Sequence, residues 1–214
     1  LRWPMALAVT ICAFGNTILT LFQEAVYGPL IDDTKLEHEP IFILGHWRSG
    51  TTHLHELLNL DDRFGSPSTY ACFAPTHFLV SETAFSKMFW FLMPEKRPMD
   101  NMKVGWKRPQ EDEFAMLALE VPTTYERVAF PNDPIRNVDT LNLHRVSGRE
   151  LKSWKRRMLR FFQALTVKDS RRLIIKSPPH TGRIRVLAEM FPRARFIHIT
   201  RDPYKLYLST KRLW

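Results

Sequence analysis

The chain has 214 residues, with 31 Lys and Arg against 22 Asp and Glu and a formal net charge of +9. Hydrophobic residues at 44% and charged residues at 25% exclude global disorder, and the length suits one α/β domain with a sizeable core. The positive excess favours an anionic ligand or surface without choosing among nucleotide, nucleic acid, acidic polysaccharide and membrane headgroup.

Met5 to Phe22 carries no charge over 18 residues, at the short edge of what a membrane span needs. Gly15, Asn16 and three threonines weaken a span. The run is therefore expected to form a helix buried in or docked on the domain, with membrane association through residues 5–22 as the alternative. Cys12 and Cys72 form no C-x-x-C pair and read as two buried thiols, which leaves metal and redox chemistry unsupported. The chain begins at Leu1 rather than Met and stops at Trp214 inside a helix-like stretch, as a fragment would. Two regions are expected: an apolar helix region over 1–32, and an α/β domain over 33–214 that is incomplete at its C-terminus.

Pro40 to Leu44 is a continuous apolar run, as in a parallel strand buried on both faces. Thr51 to Leu60 follows with leucines at helical spacing. Residues 61–109 are aromatic and proline-rich and predict loops and short helices. Pro109 to Leu119 predicts a helix with proline at its first position and acids in its first turn. Glu150 to Leu165 predicts a helix with a solvated basic face over a core stripe. Arg172 to Lys176 and Arg195 to Thr200 predict two more strands, with a helix over Thr181–Phe191 between them and another opened by Pro203. Strands alternating with helices imply βαβ units and a mainly parallel sheet.

Gly45-His-Trp-Arg-Ser-Gly-Thr-Thr52, between the first strand and its helix, has the glycine spacing of a phosphate-binding loop. Backbone N–H groups of such a loop and the following helix N-terminus cradle anionic oxygens. A nucleoside-triphosphate loop needs Lys where this chain has Thr51. Here the cation is Arg48, inside the loop, which argues against a P-loop kinase or other NTPase. Arg201, at the end of the third strand, and Ser209, two helical turns on, form a second candidate phosphate site.

These segments together resemble the superfamily of sulfotransferases that use 3′-phosphoadenosine 5′-phosphosulfate (PAPS). Arg48-Ser-Gly-Thr-Thr52 resembles its phosphosulfate loop. Arg201-x-Pro, with Ser209 eight residues on, resembles its 3′-phosphate motif. Lys176-Ser-Pro-Pro-His180 resembles the Lys-Ser/Thr-Pro segment of its less typical branches. The resemblance covers roughly Pro40 to Trp214 and is closest to the diverse branch that includes bacterial and tyrosylprotein enzymes. It implies a P-loop-type α/β fold with a mainly parallel sheet flanked by helices, here preceded by the apolar helix.

The resemblance also implies roles. Arg48, Ser49, Gly50, Thr51 and Thr52 would hold the 5′-phosphosulfate, Arg201 and Ser209 the 3′-phosphate, and Lys176 the departing phosphate. PAPS would act as co-substrate without a metal, and the acceptor would be a hydroxyl or amine of unknown class, with no nucleic acid partner. Candidates for the general base are Glu111, Asp112 and Glu113, whose mutual repulsion would raise the pKa of one of them. Glu111 is favoured. Their alternative role is to complement a helix dipole. Among the histidines His46, His53, His55, His77 and His180, the pair His53 and His55 reads as structural, while His180 could reach the site.

Overall fold

The computed structural model describes residues 3–96, 102–134 and 136–211. Trp214 and part of the irregular 61–109 region lie outside the described residues. Helix α1 spans Trp3–Asp33, strand β1 Ile41–Leu44, helix α2 Thr51–Leu58 and the short strand β2 Phe64–Gly65. Helices α3 (Thr69–Phe73), α4 (Phe78–Met88), α5 (Asp112–Ala118), α6 (Glu126–Ala129) and α7 (Gly148–Lys168) follow. Strand β3 (Arg172–Lys176), helix α8 (Ile184–Met190), strand β4 (Arg195–His198) and helix α9 (Pro203–Lys211) complete the described chain.

The four strands form a parallel sheet in the order β2-β3-β1-β4. Strand β1 is central because nothing in Ile-Phe-Ile-Leu needs solvent: all four residues are buried. Alternation along the strand sorts them to two faces. Phe42 and Leu44, with Leu173 and Ile175 of β3, enter the main core. Ile41 and Ile43, with Ile174, pack under Leu54 and Leu58 of α2. The main core is closed by α7, which buries Trp154, Met158, Phe161, Phe162 and Leu165 and keeps its basic residues outward, as its pattern predicts.

Several elements depart from the sequence reading for identifiable reasons. Helix α7 starts at Gly148, before Glu150, because Ser147 and Glu150 form a reciprocal capping box. Helix α5 starts at Asp112, later than predicted. Pro109 pairs with Ser68 in an isolated antiparallel bridge, and Gln110 N–H donates to Pro67, so this stretch is extended up to Glu111. Pro178–Gly182 is a 3-10 turn, which delays α8 to Ile184. The expected loop region contains α4, eleven residues long. Cys12 is exposed, not buried as expected, whereas Cys72 is buried.

The largest departure is α1. The apolar run is not buried in the domain. Burial along the helix begins at Gln23 and continues at Gly28 and Ile31. Its docking contacts also start late: Thr20 Oγ1 meets Thr76 Oγ1 at 2.8 Å, and Gln23 Oε1 accepts from Leu79 N–H at 2.8 Å. Arg160 of α7 then grips Glu24 and Asp32. The earlier turns run clear of α4 and α7.

Candidate functional site

Strand β1 ends where Gly45 turns the chain at φ +151°. A Cβ there would lie 2.8 Å from Ser49 Oγ, 2.9 Å from Thr51 Cγ2 and 3.0 Å from the Ile199 carbonyl oxygen, so the close packing of the loop on β4 requires glycine. Gly50, at φ +106°, leads into α2, whose N-terminus has no side-chain cap. First-turn N–H groups of α2 are thus left to another partner. Ser49 Oγ is buried beside Gly45 without a hydrogen-bond partner in the protein, so its hydroxyl is unsatisfied. Arg48 sits at φ +67°, a costly conformation for a side chain with a Cβ, held in part by Ser49 N–H donating to the His46 carbonyl.

The two candidate anion segments are physically joined. Arg48 Nε donates to Ser209 Oγ at 3.1 Å, and Arg201 Nη1 donates to the Arg48 carbonyl at 2.7 Å. The order β3-β1-β4 brings the loops after all three strands to one edge of the sheet, where ligands of open α/β sheets bind.

A polar ring closes beside the loop. Lys176, with its side chain 2% exposed, donates from Nζ to Thr52 Oγ1 at 3.2 Å and to Glu111 Oε1 at 2.5 Å. Glu111 Oε2 accepts from the Tyr125 hydroxyl, and Tyr125 oxygen accepts from Trp47 Nε1 at 3.3 Å. Burial first, then the Glu111 charge, push the Tyr125 phenol well above its ordinary value, so it stays protonated and donates. The ring runs from loop residue Trp47 through Glu111 to Thr52 of the loop's own helix.

The three consecutive carboxylates do not repel one another around a shared site. They fan out to three cationic or ring-nitrogen partners on one segment. Glu111 meets Lys176, Asp112 meets His180 Nε2 at 2.9 Å, and Glu113 forms a forked pair with Arg183 at 2.5 and 2.9 Å. Burial opposes ionisation of Asp112, but His180, Ser177 and Arg183 outweigh it and hold the carboxyl below its usual value. Asp112 and Glu113 are closed off from solvent, while Glu111 keeps 14% side-chain exposure.

His180, expected to reach the site, is fully buried and set edge-on to Phe42 in the core. His46 bonds the Trp47 carbonyl, and His77 bonds Ser81. His55 is structural: its Nε2 lies 3.0 Å from Ser66 Oγ, and burial, then Lys176, lower its pKa to about 3. The unfolded chain binds this proton below about pH 6.5 and the folded chain does not. Stability should therefore fall as pH drops from about 6.5 toward 3, by roughly 1.4 kcal/mol per unit from this group. His55→Gln should flatten that slope in denaturant titrations at stepped pH.

The sequence reading assigns no role to Tyr125, Trp47, Ser177 or Arg183. Three adjacent acids opening a helix call for partners, but nothing local points to Lys176 at the end of β3 or to His180 and Arg183 beyond it.

Residues 40–214 match the model of a family described as the sulfotransferase family. Proteins named omega-hydroxy-beta-dihydromenaquinone-9 sulfotransferase Stf3, from Mycobacterium bovis and Mycobacterium tuberculosis, are each 45% identical over 212 residues. The match takes in 99% of this chain and 54% of theirs, so the chain spans about half the length of the curated relatives it matches. Sulfotransferase STF1 from M. tuberculosis H37Rv superposes with a TM-score of 0.59 at 16% identity, covering 90% of this chain and 54% of its own. STF9 from Mycobacterium avium gives 0.59 at 24% identity, covering 92% and 50%. These two share the fold.

Proposed function

The chain belongs to the sulfotransferase family, and from that premise we propose that it is the donor-binding part of an enzyme transferring a sulfuryl group from PAPS to an acceptor hydroxyl by in-line displacement. The observation that carries the reading is the ring Trp47–Tyr125–Glu111–Lys176–Thr52. It sets one cation and one carboxylate side by side at the mouth of an uncapped, glycine-framed loop.

In this reading residues 33–214 form the donor domain. Arg48, Ser49, Gly50, Thr51 and Thr52 hold the 5′-phosphosulfate, with the unpaired Ser49 hydroxyl and the α2 N-terminus facing its oxygens. Arg201 and Ser209 hold the 3′-phosphate. Ser209 accepts from Arg48 and keeps its own O–H to donate. The bond from sulfur to the donor's bridging oxygen breaks as a bond forms from sulfur to the acceptor oxygen. The nucleotide leaves with the electron pair, stabilised by Lys176, and the acceptor proton passes to the Glu111 carboxylate. Asp112 and Glu113 hold Ser177, His180 and Arg183 and so fix the start of α5, where Glu111 stands. Since the 45%-identical relatives are named for a hydroxylated menaquinone, we propose a hydroxyl on an apolar, isoprenoid-type molecule as acceptor.

The test is calorimetric binding of 3′,5′-ADP against 5′-ADP. The chain should prefer the 3′-phosphate. Arg201→Ala should lose most of that preference, roughly tenfold or more for a charge-assisted fork. Equal affinity for both nucleotides would remove the assignment of Arg201, and tighter 5′-ADP binding would favour a kinase-like protein.

A further inference from the structure

We infer that α1 is a membrane-spanning anchor: its residues from Trp3 to about Thr20 cross a lipid bilayer, and the sheet domain hangs from its C-terminal end. This is independent of the sulfotransfer chemistry. Arg2 and Glu24 bound a stretch of 21 uncharged residues. The part from Trp3 to Thr20, where the domain contacts begin, is roughly 27 Å long at about 1.5 Å per residue, close to the thickness of a bilayer's hydrocarbon core.

A buried core helix can have the same composition, but this one is not buried: the most apolar 18-residue window has 0% of its residues inside the protein. Trp3 is 85% exposed, Phe14 68% and Phe22 56%. Nor is the apolar surface a stripe that a second copy would cover. Exposed Leu7, Ile11, Phe14 and Ile18 line one face, and Met5, Val9 and Cys12 are exposed toward the opposite side, so apolar residues reach both sides of the run and neither side carries a charge.

The threonine hydroxyls within the run fit the same environment. Thr10 Oγ1 donates to the Ala6 carbonyl and Thr17 Oγ1 to the Ala13 carbonyl, each at 2.9 Å. Both hydroxyls are thus satisfied within the helix, as a segment without water requires. Thr20 is met by Thr76 at the edge of the domain.

Charge marks where the bilayer ends. Arg160 clamps Glu24 and Asp32, and Gln163 Nε2 donates to the Thr34 carbonyl. Read backward from Gln163, α7 therefore runs toward the start of α1. Arg156, Lys152 and Arg149 continue the Arg160 row at steps of three and four and are exposed. Arg156 lines one groove with Gln23. This row would meet anionic headgroups where α1 enters the membrane.

The chain supplies its own probe. Cys12 lies near the middle of the run and is exposed, while Cys72 is buried with its thiol pushed well up, first by that burial. In intact membranes of a bacterial host expressing the full chain, Cys12 should resist a water-soluble maleimide and become reactive once detergent is added. The chain should also stay with the membranes through high salt and alkaline carbonate. The double variant Ile11→Asp/Phe14→Asp should cut the membrane-bound fraction roughly tenfold or more, since each acid is costly at mid-span. Circular dichroism and melting of the released protein would show the domain still folded. Labelling of Cys12 in intact membranes would overturn the span, as would release of the chain by salt or carbonate. Recovery as a soluble dimer would overturn it in favour of a second copy.

Discussion

Replacing Lys176 with alanine is expected to lower turnover at saturating donor by roughly 10²–10³-fold, the usual effect of removing one fixed donor from a developing negative charge. The Lys176 side chain is 2% exposed, and its two bonding partners are Thr52 of the loop helix and Glu111, the proposed base. Its loss acts twice. The bridging oxygen loses its cation, and the Glu111 carboxylate keeps Tyr125 but loses its counter-charge. Glu111→Gln keeps the shape, removes the proposed base and should cost roughly 10²–10⁴ in kcat. Turnover within tenfold of the parent in Lys176→Ala would leave Lys176 a purely structural role.

Arg183→Ala should have the largest effect on stability. Arg183 and Glu113 are both fully buried, joined by two hydrogen bonds. The same guanidinium donates to the Thr140 carbonyl at 2.7 Å and lies 5.2 Å from the Trp154 ring centroid. Alanine would strand the Glu113 carboxylate in the core, at a cost of about 3–5 kcal/mol. For a chain of this length that corresponds to a fall in Tm of roughly 6–20 °C. Adding Glu113→Leu to Arg183→Met removes both charges and should recover much of the loss, because the penalty belongs to the unpaired ion rather than to the missing attraction. An unchanged Tm in Arg183→Ala would mean that water reaches Glu113.

The contrast between these two pairs explains what the sequence could disclose. Strands β1 and β3 were legible because both faces are buried and their runs have no polar interruption. The phosphate loop was legible because its glycines stand at fixed offsets. The partners of Glu111, Asp112 and Glu113 were not, since they lie more than sixty residues away and no local pattern pairs them. Tyr125 and Trp47 carry no periodicity, so only the folded chain brings them to Glu111. The fate of α1 was open for another reason. Hydropathy scores a helix alike whether protein or lipid surrounds it, and only the structure shows that burial of α1 in the domain begins at Gln23.

The bridge between Arg48 and Arg201 gives the proposed donor site the character of a two-key lock. Arg201 holds the loop through the Arg48 carbonyl, and Arg48 holds α9 through Ser209. A ligand that seats one end of itself therefore stiffens the receptor for the other end. A whole donor should bind far more tightly than its fragments together, and damage to either arginine should blur recognition at both ends.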